Sequence, residues 1–421
     1  MKKQRPASRH RRKARNTSLL LRSAVGFALL SAAACGTEAA PVGPALRDSA
    51  GIRIVEHPAG LELATWTLAA QPEATIGGRA DEDVAHQFTQ IRGAVRLSDG
   101  RLIVGDWGSR EARYFDAAGN HLRTVGGQGT GPGELRNLYN VDRVRGDTLV
   151  IGGWPIGSRY WFDENGDFVR NQALGPWFPG LLGRTLVDGG LVLDTYEFGS
   201  YGNTLENWAA NGTEEEIRPT GIVEIVSADG QRSDTIGTIR GETWHKTGEL
   251  RQDFAMHALP LTPRGFVAWS QDHVFIGHTE TPEVNAFDMQ GSLSLIIRWV
   301  PDEVGLSRAD RMTFEQELID GIRPDREPTF RRWLSEITYP ATKPSFSAMI
   351  SDEEGNLWVR DSAPSDAETA RWTVYGGDGQ AVATITTPSD LEVLDVDATH
   401  LLAKRTDDLD VETILSFRVM R

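Results

Sequence analysis

The stretch AVRLSDGRLIVGDWGSREARYFDAAGNHLRTVGGQGTGPGEL, residues 94–135, decides how this chain is read. It holds three short apolar segments, at 101–105, 113–115 and 121–125, each of strand length. The pair Asp99-Gly100 leads into the first. Between the last two lies Asp116-Ala-Ala-Gly119, in which the Asp offers a side-chain cap and the Gly a positive-φ position. The closing GGQGTGPGE is too rich in Gly and Pro for a strand and reads as a loop to the next unit. A meander this small cannot bury its own apolar face, so it needs copies of itself alongside.

The copies are present. The second has a Gly146-Asp147 turn, strands at 148–151 and 159–162, the turn Asp163-Glu-Asn-Gly166 and a strand at 167–170. A third begins at Asp188-Gly189 with 191–193, resumes at 222–226, turns at Ala228-Asp-Gly230 and closes with 234–239. A fourth runs from Arg264-Gly265 through 266–269, 283–287, Asp288-Met-Gln-Gly291 and 292–300. The fifth is Glu354-Gly355, 357–359, 371–375, Gly377-Asp-Gly379 and 381–386. The sixth, 400–404 and 412–419, is cut short by the end of the sequence.

Six repeats with the last one incomplete imply an all-β fold, a six-bladed β-propeller with a short helical insertion, spanning residues 51–421. Rings of this kind close by borrowing a strand from the other terminus, which removes the open edge. The alternating segment GIRIVE, 51–56, is the expected donor, pairing with 412–419. Two insertions interrupt the repeats. Residues 196–221 are polar and rich in Gly and Asn, and read as loop. Residues 301–340 read as two helices: Ser307-Arg-Ala-Asp310 has the form of a capping box, and Pro328 precedes Phe330, Trp333, Leu334 and Ile337 at i, i+3, i+4, i+7. That apolar face is expected to pack on the propeller rim.

The N-terminus carries a different message. Residues 1–22 hold nine Lys/Arg and no acid, residues 23–34 are small and apolar, and Cys35-Gly36 follows. This is the pattern of an export signal, too short for a stable membrane span. Its Ala-Ala-Ala-Cys ending resembles a bacterial lipobox, with Ala32 where Leu is usual. Cys35 is the only cysteine of the 421 residues, which excludes an intrachain disulfide and a cysteine metal cluster and suits lipidation. Residues 1–34 are then signal and 35–50 a flexible tether. Loss of the signal removes nine of the 44 basic side chains and none of the 59 acidic ones, leaving 35 against 59, a net charge of −24. A surface that acidic disfavours nucleic acid and anionic lipid, so membrane attachment falls to the lipid anchor alone.

The FDxxG turns and the run Gly131-Pro132-Gly133-Glu134 resemble those of the six-bladed, NHL/TolB-like propeller proteins of bacterial envelopes, whose blades often end in such a Gly-Pro-Gly-Glu run. The resemblance covers nearly all of 51–421 and implies an exported, envelope-located propeller, in the periplasm or at the outer membrane. It implies no particular reaction.

Candidate site residues come from aligning the repeats on Leu102, Leu149, Leu191, Phe266 and Leu357, taken as the innermost strands. Five positions on stand Trp107, Trp154 and Tyr196, and one position earlier Asp106, Ser270 and Asp361. If these strand ends ring one mouth of the axial channel, aromatics and acids gather there as a site for a sugar or peptide. The competing reading has the aromatics packing between blades and the acids capping turns. There is no HExxH, no GxSxG elbow, and no Lys-Ser/Thr after the Gly-rich loop, so zinc protease, serine hydrolase and P-loop chemistry have no support. The expected function is that of a monomeric, lipid-anchored, non-catalytic module, needing no cofactor and binding a small molecule, a glycan or an envelope protein. The alternative is a metal-dependent lactonase or glycan hydrolase holding Ca²⁺ in the channel, as in the lactonase-type propellers. A third reading, purely structural, would use the insertions as contact surfaces.

Overall fold

The computed structural model describes residues 43–79, 83–153, 158–173, 184–186, 188–194, 216–231, 233–247, 255–259 and 261–421. These fall in one compact unit, Val42–Arg421. Among them no helix is long and apolar enough to cross a membrane.

The unit is built from antiparallel meanders. The first runs Ile91–Arg96, Leu102–Asp106, Glu111–Phe115, His121–Gly126, and the second Asn140–Val144, Thr148–Gly153, Ser158–Phe162, Phe168–Ala173. The third joins Arg184–Thr185, Leu191–Asp194, Thr220–Val226 and Ser233–Arg240. The next is Gly265–Trp269, His273–His278, Glu283–Asp288, Leu293–Trp299, then Phe346–Ser351, Leu357–Asp361, Thr369–Tyr375, Ala381–Pro388. Leu391–Val396, His400–Thr406 and Glu412–Met420 complete the series.

The repeated turns work as their sequences imply. The Asp116 carboxylate accepts from the N–H groups of Ala118 and Asn120, and Gly119 takes φ +92. Asp163 with Gly166 and Asp288 with Gly291 repeat the arrangement. In the Gly-rich loop the Glu134 carboxylate accepts from Thr130 and Gly131 N–H, which folds the loop back on itself.

The core lies between sheets. Ile103 and Tyr114 of the first meander pack with Leu149, Ile151 and Phe162 of the second, all buried. Phe275 and Val284 meet Leu357 and Val359, and Trp358 and Trp372 meet Leu401 and Phe417. Leu402 and Ile414 of the last sheet then pack against Leu102, Val104 and Phe115 of the first. First and last sheets thus share a core, and the meanders form a closed ring, a β-propeller.

The ring closes through the N-terminal segment, though not through residues 51–56. Ala74–Gly77 pairs antiparallel with the final strand, Ile76 opposite Ile414, and supplies its missing outer partner. Ala74 and Ile76 are buried while Thr75 faces out, and Gly77 at φ +90 approaches Glu412 too closely for any Cβ. Ile52–His57 instead runs parallel to Leu293–Trp299, with Val55 buried between two other sheets. Every blade offers a similar outer edge, so alternation alone could not choose among them. Ala64–Leu68 adds in parallel to Ala381–Pro388, its Trp66 against Trp358 at 5.8 Å. The tether expected over 35–50 is also shorter, since Ala45–Ser49 is a strand paired with Ile52–His57.

Most of the expected 196–221 insertion lies outside the described residues, but its end is strand, at Glu216–Ile217 and Thr220–Val226. Helices α1 (Arg308–Asp320) and α2 (Glu327–Glu336) form as anticipated, α1 with the full Ser307/Asp310 capping box. Their partner differs from the expected rim. Phe330, Trp333 and Leu334 of α2 lie buried with Ile319 and Leu259, and Trp333 Nε1 donates to His245 Nδ1 at 2.6 Å on a separate three-stranded sheet. Buried Asp310 ties this insertion to the ring by accepting from Lys343 Nζ at 2.8 Å and Ser365 N at 2.7 Å.

Candidate functional site

The innermost strand of each sheet has a hydrogen-bonded neighbour on one side only. These strands, Ile91–Arg96, Asn140–Val144, Arg184–Thr185, Gly265–Trp269, Phe346–Ser351 and Leu391–Val396, together line an axial cavity of about 1170 Å³. Its first mouth is where the inner strands begin, near Gln90, Tyr139, Arg264 and Ser389. Its second mouth is where they turn back, near Ser98, Asp147, Ser270 and Glu353.

Contacts between sheets hold the second mouth, most of them between neighbours in the ring. Ser98 N and Oγ donate to Asp147, and Arg96 pairs with Asp397 at 2.8 Å while its N–H donates to Asp395 at 2.9 Å. Arg143 lies 3.6 Å from Asp147 and also bonds Glu353, on the turn that follows the inner strand Phe346–Ser351. Burial pushes the Asp395 carboxyl up to about 6, against the opposing pull of the Arg96 N–H and of Arg143. A carboxyl there titrates above the usual carboxylate range.

Deeper in the wall, Asp142 accepts from Asn140 Nδ2 at 2.6 Å and Thr185 N at 2.8 Å, with Arg184 at 3.4 Å. The neighbouring Arg159 is nearly fully buried, which lowers its pKa to about 10. Toward the first mouth Lys404 sits between Glu392 at 2.8 Å and Glu412 at 3.3 Å, and Glu412 accepts from Ile91 N at 2.5 Å. Arg360 donates to Ser389 O at 2.9 Å. A wall of fixed charges of both signs, with free strand edges between them, suits a polar ligand with several hydrogen-bonding groups. Among the described residues no three His, Cys, Asp or Glu gather to hold a metal ion.

The candidate column does not assemble as expected, because its strands are mostly not the innermost. Leu102, Leu149, Leu191 and Leu357 lie on second strands, and only Phe266 lies on an inner one. Of the candidates, Ser270 lines the cavity, at the second mouth, where its Oγ accepts from Asp272 and His273 N–H. Asp106 ends a second strand and does not line it. It is 1 % exposed and accepts from Thr89, Gln90 and Ser109 N–H, so it caps the start of the inner strand. Trp107 is 37 % exposed and outside the cavity wall. Asp361 is likewise outside, paired with Arg371 at 3.1 Å, its carboxyl raised by burial to about 6. Trp154, Tyr196 and Cys35 lie outside the described residues. Sequence reasoning missed Arg143, Glu353, Arg360 and Asp395. Three of them flank the Gly-containing or Asp turns of the repeat, and a search one strand N-terminal to each turn would have reached Arg143 and Asp395.

No known family profile matches the chain, and no curated protein matches it in sequence. Among solved structures, an exported protein from Bacteroides fragilis is similar over 87% of this chain and 100% of its own, at 10% identity and TM-score 0.46. Regucalcin, a calcium-binding protein from Agrobacterium tumefaciens, is similar over 86% and 97%, at 11% identity and TM-score 0.39. A streptogramin B lyase is similar over 84% and 98%, at 9% identity and TM-score 0.37. At these values the fold rests on the sheet topology above rather than on likeness.

Proposed function

We propose that this chain is an exported, lipid-anchored propeller of six blades that acts as a non-catalytic binding module and takes a polar ligand into its axial channel. The observation that carries the reading is the convergence of the inner strands on one cavity of about 1170 Å³ walled by Arg, Lys, Asp and Glu from several sheets. The sequence repeats and the sheet order support the blade count. Cys35 behind its apolar run supports the anchor and an envelope location, with the folded unit acting as a monomer. A small molecule or a glycan end fits such a channel; an envelope protein would reach it through an inserted side chain or loop. Binding of this kind calls on no cofactor. The hydrolase alternative drew on Asp106 and Asp361, and the one is committed to backbone amides and the other to Arg371.

The test uses the full chain carrying Cys35→Ser and Gln90→Cys, so that the only thiol stands at the first mouth. A library of polar metabolites and oligosaccharides is screened by saturation-transfer NMR before and after a bulky maleimide is attached. Ligands that bind before and are lost after support channel binding. Ligands that persist unchanged place binding elsewhere and overturn the reading.

A further inference from the structure

We propose that Arg360 forms an oxyanion subsite in the channel wall near the first mouth, so that the ligand carries a carboxylate or phosphate group; this rests on the channel-binding reading above. Arg360 lies on Leu357–Asp361, opposite Ala348 of the inner strand, and lines the cavity together with Trp372 and Ser389. It is partly buried, and among the described residues its guanidinium's one hydrogen bond runs from Nη2 to the Ser389 carbonyl. Among the described residues no carboxylate stands within ion-pair distance of it. Placing a guanidinium in a wall without a counter-charge is unfavourable. Burial accordingly weakens its hold on its proton.

The acids around it are already matched. Asp390 pairs with Arg405 at 2.6 Å, Glu392 and Glu412 with Lys404, and Asp361 with Arg371. None is left to neutralise Arg360. Arg92, on the inner strand of the first sheet, lines the same cavity and is exposed, and it too has no ion-pair partner among the described residues. The channel wall therefore holds unmatched positive charge in a chain whose residues 35–421 sum to −24. An isolated positive potential of this kind draws anions selectively. With one N–H of its fork used on Ser389, Arg360 keeps donors free for two parallel bonds to a carboxylate or phosphate.

The experiment titrates the full chain bearing Cys35→Ser with inorganic phosphate and, separately, with succinate, each at constant ionic strength held by sodium chloride and followed by calorimetry. Saturable binding of either anion is expected, with affinity falling at least about tenfold in Arg360→Gln and partly retained in Arg360→Lys. Phosphate alone binding identifies a phosphorylated ligand, and succinate alone a carboxylate. If Arg360→Gln does not fold, Arg92→Gln at its exposed position must weaken the same binding several-fold. Absence of saturable binding by both anions, or an unchanged affinity in the variants, overturns the subsite. Library ligands still lost on blocking Gln90→Cys would then leave the channel reading standing.

Discussion

Arg143 and Glu353 bond each other across the channel, from sheets that are not neighbours in the ring. Arg143 lies on an inner strand and Glu353 on a turn belonging to another sheet, so the pair spans the second mouth as a bar. Ser351, just inside that bar, reports on it. In a Ser351→Cys variant with Cys35→Ser, labelling by a bulky maleimide should be slow and should quicken several-fold when Glu353→Ala is added. The exchange Arg143→Glu with Glu353→Arg should slow it again. Equal rates in all three would show that the pair closes nothing.

Ring closure predicts a contrast along the N-terminal segment. Ile76 is fully buried opposite Ile414, so Ile76→Ala should cost about 2–5 kcal/mol in urea unfolding. Removing Ala45–Ser49, every residue of which is exposed, should cost under about 1 kcal/mol. Loss of Ala74–Gly77 should also promote association through the freed edge of the final strand, visible in light scattering. Similar effects for the two truncations would refute the closure.

Asp395 makes stability depend on pH with a definite sign. The unfolded carboxyl ionises near 3.8 and the folded one near 6, so between these values the folded chain keeps a proton that the unfolded chain has released. This group's contribution therefore falls as pH rises from about 4 to about 6 and stays low above. Asp395→Asn keeps an acceptor for Arg96 N–H while removing the charge. It should flatten that part of the profile and raise stability at pH 7 by roughly 2 kcal/mol. A profile as steep as the parent's would assign the pH dependence to other groups.

For the anchor, Cys35→Ser should move the protein from the membrane to the soluble fraction. The mature N-terminus should be Cys35, blocked by lipid, as mass spectrometry of the purified protein can determine. Unchanged partitioning would remove the anchor from the proposed function.

Much of the fold was legible because the second strand of each meander is buried on both faces. Leu102–Asp106 and Thr148–Gly153 are almost entirely buried and read as strong apolar runs beside Asp-Gly or Gly-Asp turns. The inner strands were not legible. Ile91–Arg96 and Leu391–Val396 mix Arg, Glu and Asp with apolar residues because one edge faces the channel, so they resemble loop more than strand. That single offset moved the candidate site from the channel wall to the turn caps, and Asp106 and Asp361 followed it. Ser270 lines the channel because Phe266, unlike the other alignment positions, lies on an inner strand. The helices were legible from local chemistry, Ser307 with Asp310 and the spacing of Phe330, Trp333 and Leu334. What covers them, a sheet carrying His245 and His257, depends on residues far away in sequence and left no local mark.

Three strands near the start of the chain wait for partners made much later. Ile52–His57 needs residues 293–299, Ala64–Leu68 needs 381–388, and Ala74–Gly77 needs the last strand, from residue 412 onward. During synthesis at about 5–20 residues per second, Ala74–Gly77 spends roughly 17 to 70 seconds with its intended partner not yet made. A product truncated before residue 412 has no ring to join. Assembly is thus timed by the arrival of the C-terminus, and whatever shields the early strands until then protects every later blade from pairing with a neighbouring copy.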